Sequence, residues 1–288
     1  MSEPPCTFHF ISGLPRSGST LLAAILRQNP RFDASMTSGL GALVNGAMQI
    51  MSPGSEVALT LKEGQREEIL RSLFDAYYRN QTTSEVVFDT NRLWTARMPL
   101  LAGLFPDAKV IACVRDVSWV MDSLERRVRE NPYHFTRLFG NASQGTVYSR
   151  VESLMHHEAL VGRSWTGLKE AFYGEQAGSL LVIDYDLLSR APHKVLPLIY
   201  QFLGEPWFEG HDFDHVEFDA PEFDEALGID GLHRVRPKVE HLSRKTILPP
   251  DLFNKFQKMD FWNDLAGTRA HVISARPIEQ ASANGVTA

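Results

Sequence analysis

The residues best placed to do chemistry lie near the start of the chain, in "GLPRSGST" (13–20). Their spacing is that of a phosphate-binding loop, G-x-x-x-x-G-K-[ST], in which backbone amides cradle an anion, a lysine reaches its outer oxygens and a hydroxyl serves magnesium. Gly13, Gly18, Ser19 and Thr20 keep that pattern, but no lysine follows Gly18, and Arg16 stands inside the loop instead. Amides of residues 16–20 at a helix N-terminus would still attract an anion. The change removes the cation that meets the γ-phosphoryl group of a nucleoside triphosphate. Asp89 and Asp116 are the contenders for a magnesium partner at a strand end. A plain strand-to-helix turn would use the same Gly, Pro and Ser residues, yet this loop falls between an apolar strand and an apolar helix.

A second constellation follows in "VIACVRDVSWVMDSLERR", where an apolar run ends at Arg115 and Ser123 and Arg127 lie four apart on one helix face. Arg115 and Ser123 can point at one anion from the strand end and from the helix. A nucleotide carrying phosphate groups at both ends of its ribose needs two such sites. Arg126 and Arg129 read as solvated helix charges.

Elements of the right kind surround both motifs. "TFHFIS" predicts a strand, and "STLLAAILRQN" repeats Leu21, Leu22, Ile25 and Leu26 at helical spacing until Pro30 stops it. Further strands are predicted at 86–89, 109–116 and 180–185, continuously apolar as strands buried on both faces are. Helices are predicted around 63–79, 94–104, 117–129, 147–172 and 193–203. The alternation predicts an α/β chain: a P-loop-type three-layer fold with a central, mostly parallel sheet flanked by helices. Ligands bind such sheets at the carboxyl ends of the strands. Residues 205–250 lose periodicity and predict an irregular wrap over the active-site side of one domain, 1–265, with 266–288 a fraying tail. "ASMTSGLGALVNGAMQIMSP" (34–53) reads as a core helix, or as an adaptable apolar wall or lid.

Composition limits the partners. A formal charge of −6 argues against broad contact with nucleic acid but allows a local basic pocket. No apolar run is long enough to cross a bilayer and no signal-peptide pattern opens the chain, so a cytoplasmic protein without membrane attachment is expected. Cys6 and Cys113, the two cysteines, give neither disulfide nor metal spacing. Cys113 reads as a small core residue, and no metal site is expected.

At these motifs the chain resembles the sulfotransferases that use 3′-phosphoadenosine-5′-phosphosulfate (PAPS), in particular the bacterial branch similar to tyrosylprotein sulfotransferases. "PRSGSTLL" resembles that family's 5′-phosphosulfate loop and "LFPDAKVIACVRDVSWVMDS" its 3′-phosphate motif, with weaker echoes in "LLVIDYDLL" and "IYQFLGEPW". The likeness spans roughly residues 8–207. It implies that Arg16, Ser17, Gly18, Ser19 and Thr20 hold the 5′-phosphosulfate, that Arg115 and Ser123 hold the 3′-phosphate with Arg127 helping, and that Tyr185 lines the pocket. It implies sulfuryl transfer to a hydroxyl, less readily an amine, on a small molecule or a peptidyl tyrosine, in line and without metal.

Two departures bear on catalysis. Thr90 stands where the family commonly has a lysine, and Arg92 is the nearest cation to replace it. No glutamate follows the loop helix in "RFDASMTSGLGALVNG", which leaves Asp89 as the candidate to accept the acceptor's proton, or else a helix cap. The basic residues His233, Arg234, Arg236, Lys238, Arg244 and Lys245 close over the cofactor, select an acidic acceptor, or are simply solvated. A P-loop kinase or other NTP-dependent phosphotransferase, and a non-catalytic nucleotide-binding module, are the alternatives. A homodimer is left open.

Overall fold

The computed structural model describes residues 6–130, 133, 136, 139, 144–227 and 231–274. In chain order the elements are β1 Thr7–Gly13, α1 Ser19–Leu26, β2 Phe32–Ala34, α2 Leu40–Ile50, α3 Glu56–Thr60, α4 Gln65–Tyr78, β3 Val86–Thr90, α5 Met98–Leu104 and β4 Val110–Val114. There follow α6 Val117–Glu130, α7 Val147–Met155, α8 Leu160–Tyr173, β5 Leu180–Asp184, α9 Tyr185–Arg190, α10 Pro192–Leu203, α11 Pro221–Leu227, α12 Pro250–Phe256 and β6 His271–Ile273.

The strands form one parallel sheet in the order β2-β3-β1-β4-β5-β6. Every strand of its centre is buried on both faces, which is why their sequences are continuously apolar. Strand parity divides the side chains: Phe8, Phe10, Val87, Val110 and Ala112 pack with α4, α5, α6 and α8, whereas Ile11, Phe88, Ile111 and Cys113 pack with α1 and α10. The chain therefore has three layers, a parallel sheet between two layers of helices. Order reverses at β1, whose neighbours are β3 and β4, and loops leaving β1 and β4 diverge to opposite sides of a crevice there.

Several boundaries differ from the sequence expectation for identifiable reasons. The helix expected over 147–172 is two: α7 starts at a capping box between Thr146 and Ser149 and ends at Met155. Gly162 of α8 then packs so tightly on the break that a Cβ there would meet the His156 carbonyl at 2.2 Å. Tyr185, expected at a strand end, begins α9, because the Asp184 carboxylate accepts hydrogen bonds from Asp186 N at 2.7 Å and Leu187 N at 3.2 Å. Residues 40–50 are a helix, but one that buries only Leu40, Gly41 and Val44 rather than a core helix, and Met36 and Thr37 ahead of it line the cavity at the carboxyl ends of the strands. The tail does not fray from 266: His271–Ile273 pair in parallel with β5 as the sixth strand, and residues 275–288 lie outside the described residues. Two short strands, β2 and β6, have no signature in the sequence, because three residues carry no periodicity. Within 205–250 the chain is mostly irregular, yet it pins itself through the antiparallel bridge Phe218 to Val235 and the hydrogen bonds Val216 N to Pro237 O at 2.6 Å and Val239 N to Phe213 O at 2.8 Å. Among the described residues no helix is long and apolar enough to cross a membrane.

Candidate active site

The loop after β1 is built around two glycines and one arginine with positive φ. Gly13, at φ 111°, lies against the end of β4, where a Cβ would fall 2.1 Å from the Cys113 carbonyl oxygen; Leu14 N donates to that oxygen at 2.9 Å. Gly18, at φ 92°, caps α1 and passes the Tyr185 ring so closely that a Cβ would meet its Cδ2 at 2.6 Å. Only glycine tolerates both demands. Arg16 adopts φ 59°, the left-handed region that costs a non-glycine residue about 1 kcal/mol or more. The first turn of α1 has no side-chain cap and no acidic residue, so its amides face the crevice with an uncompensated positive end.

Ser17 departs from expectation. It is fully buried, and its hydroxyl bonds to the Leu14 carbonyl and, at 2.7 Å, to that of Cys113. The side chain fastens the loop to β4, so only the Ser17 amide is available to an anion. Ser19 and Thr20 line the crevice.

Across the crevice stands a wall of arginines. Arg115, just beyond β4, stacks its guanidinium over the Tyr185 ring at 4.6 Å and lies 5.9 Å from the Trp119 ring centre. Its Nε is buried without a hydrogen-bond partner, in a long ion pair of 3.7 Å with Asp186 Oδ1, which also makes no hydrogen bond and lies 3.6 Å from His241 Nδ1. Such an orphaned donor is a vacancy for an acceptor. Arg127 bonds Glu130 at 2.7 Å, and Arg244 joins Asp122 at 2.9 Å while covering Trp119 at 5.7 Å. Arg16 bridges the two halves: its Nε donates to Ser123 Oγ at 3.2 Å and its Nη1 to the Leu232 carbonyl. Burial first, then Arg127, with Arg115 and Arg244 adding, pushes the Arg16 pKa down to about 10. An anion between these arginines would relieve that repulsion. All of them line one cavity of about 1110 Å³ at the carboxyl ends of β1, β3 and β4.

The third wall corrects one expectation. Asp89 does not face the cavity. On β3 it shares the parity of Val87, and its fully buried carboxylate accepts the Tyr78 hydroxyl at 2.5 Å and the Trp94 indole N–H at 2.6 Å. Burial raises its pKa against the opposing hydrogen bonds from Ser38, Tyr78 and Trp94. Asp89 is a core fastener, placed neither to take an acceptor's proton nor to hold magnesium. Asp116 is also engaged, accepting Ser118 N at 2.9 Å at the start of α6. Arg92 does line the cavity; the side chain keeps solvent contact while the surrounding walls lower its pKa through desolvation.

From the wrap, Leu232 to Arg244 complete the enclosure. Its basic residues divide. Arg234, Arg236, Lys238 and Arg244 all line the cavity; Arg234 also pairs with Asp219 at 3.0 Å and Lys238 with Asp214 at 2.8 Å at exposed positions, whereas Arg244 joins the arginine wall. His233 lines the cavity with Nδ1 2.5 Å from Asp224 Oδ1, and its own backbone N–H donates to Asp224 Oδ2 at 2.9 Å. In the amino-acid sequence His233 stands among cations, and nothing links it to Asp224, nine residues away in a stretch without periodicity. Among the described residues no cluster of three or more His, Cys, Asp or Glu side chains could hold a metal ion.

This architecture has recognisable relatives. The profile described as "Sulfotransferase family" matches residues 9–209, well over half of the chain. Protein-tyrosine sulfotransferase 1 of Danio rerio is 24% identical over 211 residues, covering 69% of this chain and 53% of that protein, so the chain spans about half the length of this curated relative. Among solved structures, the sulfotransferase domain of the Synechococcus PCC 7002 olefin synthase is 21% identical, with 90% of this chain and 89% of that one covered at a TM-score of 0.48. Mouse sulfotransferase SULT7A1 in complex with PAP is 14% identical, with 90% and 85% covered at 0.46. By the extent of the profile match, which takes in the glycine loop and the stretch bearing Arg115, Ser123 and Arg127, the chain belongs to the sulfotransferase family.

Proposed function

We propose that the protein transfers a sulfuryl group from PAPS to a hydroxyl acceptor, with 3′,5′-ADP as the other product. One observation carries this reading: two anion-binding walls, the glycine loop at the α1 N-terminus and the arginines of β4, α6 and the wrap, face each other across one cavity and are joined by Arg16 and Ser123. The orphaned Arg115 Nε supports the fit, because a 3′-phosphate oxygen would supply its missing acceptor. PAPS, when bound, supplies the sulfuryl group and a phosphate leaving group.

The chain's residues do the rest. The amides of Arg16 to Thr20 and the Arg16 guanidinium hold the 5′ end, and a guanidinium can bridge oxygens of adjacent phosphate and sulfuryl groups in a bidentate manner that an ammonium cannot. Arg115 and Ser123 hold the 3′-phosphate, with Arg127 and Arg244 beside them and Tyr185 lining the nucleotide side. Arg92 brings positive charge from the β3 side, where the family commonly uses lysine. Donors preorganised around developing charge stabilise the transition state without reorganisation, and holding the acceptor in line supplies the entropic part. The acceptor is a hydroxyl of a small molecule or of a peptidyl tyrosine. No step in this scheme asks for a metal.

The test is calorimetric binding of 3′,5′-ADP against 5′-ADP and ATP with magnesium, followed by transfer from ³⁵S-labelled PAPS in EDTA. Selective binding of 3′,5′-ADP and chelator-resistant transfer are expected. Preference for ATP with magnesium, or activity that EDTA abolishes and magnesium restores, would move the reading to phosphoryl transfer.

A further inference from the structure

The proposed transfer needs a group to take the acceptor's proton, and Asp89, turned into the core, cannot. The wrap offers another. His233 is 13% exposed, lines the same cavity as Arg16 and Arg92, and has Nδ1 2.5 Å from the almost fully buried Asp224. Asp224 also accepts the His233 backbone N–H, so both ring and main chain are held by one carboxylate. A carboxylate on Nδ1–H selects the tautomer whose Nε2 carries the lone pair, and it stabilises the imidazolium formed when Nε2 gains a proton.

We infer that His233, oriented by Asp224, is the general base of sulfuryl transfer. This rests on the PAPS reading above. His233 Nε2 takes the proton of the acceptor O–H; the acceptor oxygen forms the new O–S bond as the bond from sulfur to the 5′-phosphate oxygen breaks, and that electron pair leaves on the phosphate. The proton passes from His233 to solvent after product release. Asp224 touches neither substrate nor reacting atom and is a positioning residue.

Charged groups that act on the ring include Asp224 from α11, Arg16 from the loop and Arg92 from the segment after β3. Burial is the largest influence and lowers the pKa; Asp224 opposes it, and the two arginines reinforce it. The ring is therefore neutral, in its proton-accepting form, at neutral pH. Protonation switches it off on the acid side, below the ordinary histidine value.

The experiment uses the full chain with ³⁵S-labelled PAPS and three acceptors: water, phenol, and 4-nitrophenol, which is substantially ionised at neutral pH. In His233→Ala, release to water and transfer to phenol should fall about a hundredfold or more, the scale of a lost general base. Transfer to 4-nitrophenol should fall much less, and calorimetric affinity for 3′,5′-ADP should hold. The acid limb of the kcat/KM profile should vanish with the imidazole, and added imidazole should restore part of the rate. His233→Gln, which keeps a donor toward Asp224, is the companion where alanine impairs folding. ¹⁵N spectra of the histidine ring should show the Nδ1–H tautomer in the wild type and its loss in Asp224→Asn. A variant that binds 3′,5′-ADP and retains its rate with phenol, or loses phenol and 4-nitrophenol transfer equally, would overturn the assignment of the base. A wild-type chain that fails to bind 3′,5′-ADP would instead sink the donor reading on which it rests.

Discussion

Arg16 concentrates the chemistry of the loop in one side chain. It holds a left-handed backbone, carries a charge under pressure from three other arginines, and links the loop to both Ser123 and the wrap. If it meets charge as it develops, its contribution is larger in the transition state than in the ground state. Arg16→Ala should then lower single-turnover transfer from PAPS by about a hundredfold or more, while calorimetric affinity for 3′,5′-ADP changes far less. Arg16→Lys should recover part of the rate, since charge returns without the planar fork. Equal losses in rate and affinity would make Arg16 a binding residue only. Asp89 belongs at the other extreme of residue roles. Asn at this position keeps one acceptor for two buried donors, so Asp89→Asn should cost about 1–3 kcal/mol in urea unfolding and leave turnover of the folded enzyme intact. Loss of turnover without loss of stability would return Asp89 to the chemistry.

Among the elements, β1 carries the loop and a buried titratable group on its other face. His9 is 3% exposed, and its Nδ1 accepts the Lys109 backbone N–H at 3.1 Å. Burial first, and then the Lys109 charge, push its pKa down from 6.5 to about 4. The sign follows directly. Between these two values the unfolded chain binds a proton that the folded chain refuses, so stability falls as pH drops from 6.5 toward 4 and is untouched by this group above it. A shift of this size corresponds to at most about 3–4 kcal/mol. His9→Asn keeps an acceptor in the strand but does not titrate. Its urea-unfolding free energy should start lower, because a smaller side chain leaves a void, yet it should decline less steeply with acid than that of the wild type. Parallel slopes would show that His9 is not the titrating group.

For the whole molecule, the cavity exists because stretches distant in the chain meet, among them the loop at 13–20, the end of β3, α6, and the wrap from Leu232 to Arg244. Arg16 ties the loop to Leu232, and Arg126 ties α6 to the wrap through the Lys245 carbonyl, while Thr246 Oγ1 and Ile247 N donate to Asp122 at 2.9 Å and 2.7 Å. A ligand seated among them should stabilise them as a unit. Saturating 3′,5′-ADP at ~100 times its Kd adds about 2.7 kcal/mol to global stability. Hydrogen exchange should slow together in the amides of 14–20 and of 232–247, with the outer helix α3 unchanged. Protection confined to the loop would mean that the wrap does not close over the nucleotide.

The glycine loop, the Arg115 and Ser123 motif and the buried parallel strands were legible in the amino-acid sequence because each is coded within a few contiguous residues. A positive-φ turn needs glycine, an anion-binding helix start needs exposed amides, and a strand covered on both faces must be apolar throughout. That same continuity hid which way each strand residue points. With no alternation to read in "VVFDT", only packing against Tyr78 and Trp94 turned Asp89 into the core. Ser17 matched a binding motif in type, but the approach of β4 claimed its hydroxyl for the loop. The wrap had no period at all, so its pairing of Asp224 with His233, and its delivery of Arg244 to Trp119 and Asp122, were decided by tertiary structure alone. Local periodicity sets which elements form; which side chains face the cavity follows from what each element is packed against.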